Sequence, residues 1–342
     1  MNTVQEGPLT YLLTLGIVAM EGRGFEYPSD ALMAENHRLY VTNKSRNYGE
    51  RGVRITVLDL ESQYYGTFGH YGVEEGYLIS PSGITGNNAG HIYVVDDYTN
   101  SISTFDLNGA FVRRWGSKGN NSGELNGPSG IACNPTTEKI YVSDTKNHRV
   151  QIFDPSGNFL SSLGAPGDGN GEFNLPWGID VSAEGEIYVA DWGNNRVQKF
   201  SPDGKHTQTF TCEAGEEAHR LNHPSGVAVS QDGQIYVSDW GNESVKAIES
   251  SDYLVQELRG EATLSKWASE FLETNQEEGQ ARKSANLENE NLMSELKDPH
   301  TMSAHIEKLF WSPVSVRLDT SGNLYVTESN RHRIQVYSLL NR

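Results

Sequence analysis

"IYVADWGNNRVQKF", residues 187 to 200, returns 48 residues later as "IYVSDWGNESVKAI", residues 235 to 248. Near-copies at a fixed interval mark a repeat architecture, in which each unit is one supersecondary element that must bury its faces against its neighbours. Further copies read "IYVVDDYTNSISTF" from Ile92, "IYVSDTKNHRVQIF" from Ile140 and "LYVTESNRHRIQVY" from Leu324, with a weaker "LYVTNKS" from Leu39. A proline opens each unit: Pro28, Pro81, Pro128, Pro176, Pro224 and Pro313, spaced 53, 47, 48, 48 and 89 residues apart.

The fourth unit reads as four short strands, Gly178–Ser182, Ile187–Asp191, Arg196–Ser201 and His206–Thr211, joined by the turn text "AEGE", "WGNN" and "SPDGK". One such sheet cannot cover both of its own faces, so six of them stack around an axis as propeller blades. With 35 Gly, 10% aromatic and 36% hydrophobic residues, the composition suits many short strands and tight turns. The expectation is an all-β chain, a six-bladed β-propeller formed as one domain over residues 1–342.

A propeller must close, and the sixth unit ends after "RIQVYSLL", one strand short. The segment "LGIVAMEGRGFEYP" (15–28) is in register with "LGAPGDGNGEFNLP" (163–176), "WGSKGNNSGELNGP" (115–128) and "FGHYGVEEGYLISP" (68–81), each of which follows a fourth strand. The N-terminal "LTYLLTL" is therefore expected to be the outer strand of blade six, which removes an exposed edge. That stretch is too short to span a bilayer and lacks the basic flank of a signal peptide. Together with only two cysteines, Cys133 and Cys212, this places the protein in the cytoplasm, with no membrane partner.

The long last interval holds residues 261–310, where Leu264, Trp267, Ala268, Phe271 and Leu272 share one helical stripe, as do Leu292 and Leu296. The reading is a helical insertion between blades five and six. Antiparallel alternation puts the second-to-third turns and the blade-to-blade connections on one end of the propeller, here the top face. The insertion thus shares that face with Trp192, Trp240, Trp177 and Trp311, over which it would act as a lid.

The "D-x-x-N-x-R-V" turns, best written at Asp144, Asn147, Arg149 and Val150, resemble the NHL repeat family over nearly the whole chain outside the insertion. Either Asn194 or Asn195 fills the Asn role after Asp191; Asp239 has Ser244 for the arginine, Glu328 stands with Arg331 and Arg333, and Asn43 replaces the acid of unit one. A residue set present in nearly every unit reads as scaffold, because one active site does not need five copies. The resemblance extends distantly to peptidyl-hydroxyglycine lyase propellers, which implies axial histidine ligands beside the leading prolines. The matching positions hold Tyr27, Ser80, Gly127, Leu175, His223 and Ser312, a single histidine where a catalytic zinc wants about three ligands.

Candidate site residues are therefore the unrepeated ones. Trp192, Trp240 and Trp311 are candidates for an aromatic pocket wall, Trp177 for inter-blade packing, and His223 for a ligand contact or the metal contact of a divalent ion. Lys44 and Arg46, in the unit that lacks the acid, are candidates to hold a carboxylate or phosphate. A formal net charge of -18 opposes nucleic-acid binding. Two functions follow: a propeller that binds a small molecule or a protein or peptide through its top face and insertion, or a lyase- or hydrolase-type enzyme, metal-dependent in one form, with the insertion as its lid.

Overall fold

Six four-stranded antiparallel sheets surround one axis, in a computed structural model that describes residues 7–45, 51–212, 219–289 and 296–339. Blade four consists of Pro176–Val181, Ile187–Asp191, Arg196–Phe200 and His206–Phe210, close to the expected limits. Along its second strand the side chains alternate between two seams, as a pleated strand requires. Ile187 and Val189 pack with Tyr141 and Val150 of blade three, whereas Tyr188 and Ala190 pack with Val227 and Ile235 of blade five. The "IYV" tyrosine is buried in every blade, at Tyr40, Tyr93, Tyr141, Tyr188, Tyr236 and Tyr325.

The N-terminal strand Leu9–Leu15 pairs antiparallel with Arg333–Leu339 and completes blade six. The four connections aligned by sequence share one geometry: Val18 bridges Phe25, Tyr71 bridges Leu78, Lys118 bridges Leu125 and Pro166 bridges Phe173. Each begins at a glycine with positive φ, as at Gly164 (φ 94°), where a Cβ would also lie 2.4 Å from the Phe173 ring. Among the described residues three helices occupy the expected insertion: α1 (Lys266–Thr274), α2 (Gln276–Ser284) and α3 (Pro299–His305); Leu292 lies outside the described residues. Trp267 of α1 is buried in the seam between blades six and one, near Phe25 and Tyr64, and donates Nε1–H to Ser62 O at 2.9 Å.

The axis is closed by a side chain. Arg317, on the inner strand of blade six, forks onto Asp30 of blade one (Nε–Oδ1 3.0 Å, Nη2–Oδ2 2.5 Å) and donates to the carbonyls of Ile131 and Ile179 in blades three and four. The bidentate pair fixes both partners. The void left along the inner strands is about 20 Å³, the space of a single water.

Adjacent blades are tied by a contact that recurs around the ring. The residue before the third strand adopts the left-handed conformation at Asn100, His148, Asn195, Glu243 and His332, with φ between 50° and 57°. Its side chain accepts the backbone N–H just ahead of the next blade's leading proline: Asn100 from Gly127 (2.7 Å), His148 from Leu175 (3.2 Å), Asn195 from His223 (2.8 Å), Glu243 from Ser312 (2.6 Å) and His332 from Tyr27 (3.0 Å). Blade one has Val53 at this place, and Ser80 N–H goes instead to Asp96 within its own blade.

The repeated acids are scaffold in the same sense. Asp144 and Asp191 accept the N–H of Asn126 and Asn174 through Oδ1, and through Oδ2 meet Asn147 with Arg149 and Asn194 with Arg196, each at 2.8–2.9 Å. Asn194 thus fills the motif role, leaving Asn195 for the seam. In blade five Ser244 supplies no cation, and Lys246 replaces it, 2.7 Å from Asp239 with both side chains fully buried. Burial pushes the Asp191, Asp239 and Glu328 carboxyls up, while the N–H donors and cations around them pull back.

Two outcomes are expected. Replacing Lys246 by Met strands a buried carboxylate and should cost about 3–5 kcal/mol; a shift of the urea midpoint under 1 kcal/mol would refute the pairing. Burial lowers His332 from 6.5 to about 4, so the unfolded chain takes up its proton first as pH falls. Stability from this group is therefore complete above 6.5 and is lost on descending toward pH 4, by about 2–3 kcal/mol. His332→Asn supplies the non-titrating acceptor used at Asn100 and Asn195, and should flatten that part of the profile. An unchanged slope would mean the seam does not depend on a neutral imidazole.

Candidate functional site

The top face carries a continuous chain of ring contacts across blades four to six. Trp177 lies 6.3 Å from Trp192, and Trp192 lies 4.2 Å from His223 and 6.2 Å from Trp240. Trp240 lies 6.5 Å from His300, which lies 6.0 Å from Trp311, and the Arg331 guanidinium sits over the Trp311 ring at 5.4 Å. These tilted contacts are favoured by the ring quadrupoles and fix the wall as a unit.

Local rules place each member. Trp192 and Trp240 open the one-turn 3-10 helices that follow Asp191 and Asp239, and the glycine after each donates its N–H to the carbonyl of Asn174 or Asn222. Register matches them to Lys44, Asp97, Thr145 and Ser329 in the other blades. Trp177 follows a leading proline, the place held by Ser29, Ser82, Ser129 and Ser225, whose hydroxyls donate to carbonyls of the next blade. Trp177 cannot make that bond, and its ring is 38% exposed at the axial mouth, so it belongs to the wall rather than to seam packing.

His223 stands between Trp192 and Trp240, with Nδ1 2.7 Å from Asn222 Oδ1. Among the described residues no three His, Cys, Asp or Glu side chains converge as metal ligands. Lys44 is 2.6 Å from Asp97 of blade two, both half-buried, so its charge is already matched on the side of the mouth opposite the tryptophans. Arg46 lies outside the described residues. Burial pushes the Cys133 and Cys212 thiols up to about 12, which suits packing and not nucleophilic chemistry.

Sequence reasoning missed Glu243 and its pairing with His300. Glu243 is 2% exposed; its Oε2 performs the seam contact to Ser312, and its Oε1 lies 2.5 Å from Nδ1 of His300 on α3. Helix α3 is set by Asp298, whose carboxylate caps Thr301 N–H at 2.7 Å with proline at the first helical position. Arg331 secures its far end through the carbonyls of Ser303 and Ile306. The available signal was the single acidic residue in a position filled by Asn or His in four other blades and by Val53 in blade one.

Among the described residues no helix is long and apolar enough to cross a membrane. The NHL repeat family model matches residues 125–153, 173–200, 221–248 and 310–337, which are blades three to six. Among solved structures, the selenomethionine-substituted virginiamycin B lyase from Staphylococcus aureus is similar over 98% of this chain and 100% of its own, at 12% identity and a TM-score of 0.57. A protein of unknown function from Bacteroides thetaiotaomicron matches over 93% and 70% of the two chains, at 16% identity and a TM-score of 0.58. A chain of a nidogen/laminin complex matches over 70% and 83%, at 17% and 0.52. Such identities speak of fold alone, and no curated protein matches the sequence significantly. With the NHL repeat matched in four blades and the same hairpins and connections in the other two, the chain is a six-bladed β-propeller that carries NHL repeats.

Proposed function

We propose that this propeller binds a flat apolar ring, free or carried on a peptide, against the aromatic wall of its top face, with α3 of the insertion covering one end of the site. The observation that supports this is the unbroken run of ring contacts from Trp177 to Trp311. Four tryptophans gathered on one side of one mouth are not needed by a repeat whose other blades place smaller, mostly polar or charged residues there. The Arg317 plug supports a ligand that lies across the mouth and does not thread the axis. The acidic surface argues for a ligand other than nucleic acid.

A lyase- or hydrolase-type activity is the second reading, favoured by the Glu243–His300 pair beside the wall, with the insertion as a lid. The fold is shared by a virginiamycin B lyase and by a chain of a nidogen/laminin complex, so it serves both classes. In the metal-dependent form of this reading His223 is the contact, and elemental analysis of purified protein before and after His223→Ala tests it.

For the binding reading, titration of aromatic fragments such as indole and 4-nitroanisole, followed by tryptophan fluorescence and calorimetry, should give saturable binding. Trp192→Ala and Trp240→Ala should each weaken it about tenfold or more, as central aromatic anchors do, with little change in the urea midpoint. Fragment affinity that survives both substitutions would remove the wall from the site.

A further inference from the structure

We propose that His300, oriented by Glu243, is the proton-accepting residue of the aromatic site, and that the ligand class is a flat ring bearing an acidic hydroxyl, held as its anion. This rests on the binding reading above.

The argument starts from the seam. A left-handed residue ahead of the third strand needs one acceptor atom for the next blade's N–H, and Asn100, Asn195, His148 and His332 supply one each. Glu243 supplies it through Oε2, 2.6 Å from Ser312 N, and is left with a second oxygen. That oxygen is directed at the imidazole Nδ1 at 2.5 Å. Its partner comes from the connection that, among the described residues, alone carries α-helices, so neither half of the pair is a product of the repeat.

The second ring nitrogen fixes the tautomer. Trp311 Nε1–H lies 3.4 Å from His300 Nε2, and an indole N–H only donates. Nε2 is therefore the unprotonated nitrogen, and the ring proton sits on Nδ1 facing the Glu243 carboxylate. At 3.4 Å the indole contact is long, so Nε2 has capacity for a stronger donor. His300 is half exposed and stands between the rings of Trp240 and Trp311, with its partner carboxylate buried: an acceptor in the wall, an anchor behind it.

In the step, the ligand's O–H bond breaks and an Nε2–H bond forms. Nothing is oxidised or reduced; the imidazolium keeps its Nδ1–H on Glu243, and the ring oxygen becomes an anion paired with it. Burial, the leading cause, pushes Glu243 up to about 7, and the His300 and Ser312 hydrogen bonds oppose it. The other charges facing the pair are Glu328, which raises Glu243 further; Asp298 on α3; Arg331 over Trp311; and Arg259, Lys297 and Lys308 with Glu288 around a 430 Å³ cavity beside Glu243.

The test uses 4-nitrophenol, whose ionisation is read by its absorption, against 4-nitroanisole, which has the same shape and no proton to give. The full-length protein should bind both, and bound nitrophenol should ionise at a pH about one unit or more below the free compound. In His300→Gln that shift should vanish, read from the absorption of nitrophenol at saturation and so independent of any loss of affinity that nitrophenol and nitroanisole share. Glu243→Gln keeps an acceptor for Ser312 and should reduce the shift; circular dichroism and the urea midpoint check that both variants fold. Equal shifts in wild type and His300→Gln, or no shift in wild type with nitroanisole bound, would overturn the proton-accepting role and leave the aromatic wall standing. Failure of both compounds to bind would overturn the wall itself and this inference with it.

Discussion

A ring of blades is only as firm as its seams, and here each seam must satisfy a backbone N–H that the leading proline strands on the inner edge of the next sheet. A buried donor without a partner costs about 1–3 kcal/mol, and the chain meets the requirement with one left-handed side-chain acceptor at five of its six junctions. The positive φ limits who can serve. Asn and His tolerate it and carry an acceptor at the right reach, and Glu243 is the departure that also introduces a charge. The closing strand Leu9–Leu15 gains its value from the same constraint, since the His332–Tyr27 contact that completes the circle needs blade six to be whole.

Positions that repeat hold the ring, and positions that break the repeat gather at one place. Trp177 stands where four blades use serine, Trp192 and Trp240 where others use Lys, Asp, Thr or Ser, and Glu243 where four others use Asn or His. Had these departures scattered around the axis, drift would explain them. They lie in adjacent blades on the top face, in contact with one another and with the insertion. A repeat fold makes this inference possible, because the other blades state what the scaffold alone requires.

Sequence gave access to whatever has a period. The strand alternation, the leading prolines, the bridge from Val18 to Phe25 and the closing "LTYLLTL" strand are each readable because a sister segment shows the same register. The shared face of the four tryptophans was legible through strand direction. Pairings unique to one junction were not: Arg317 reaches Asp30 across 287 residues, and His300 reaches Glu243 across 57, with no copy elsewhere to announce either. Lys246 was hidden differently. The motif search looked for a cation five residues after Asp239, where Arg196 stands after Asp191, and the charge had moved one pleat further along the same strand face.

The axial plug and the aromatic wall are linked by geometry. In a propeller the inner strands converge, and here backbone contact is so close that a Cβ at Gly130 would lie 2.3 Å from the carbonyl of Trp177. With that ring of small residues and with Arg317 below it, the axis offers almost no open space, and the surface left to the blades is the lateral one at the mouth. Lateral surface on a blade top is normally polar turn text, poor in dispersion contacts. Tryptophans in consecutive turns are the available way to obtain apolar area there without lengthening the loops. A helix brought over the rim then adds what turns of this length cannot present: an imidazole whose far nitrogen is held by a buried carboxylate, and whose near nitrogen meets the Trp311 indole.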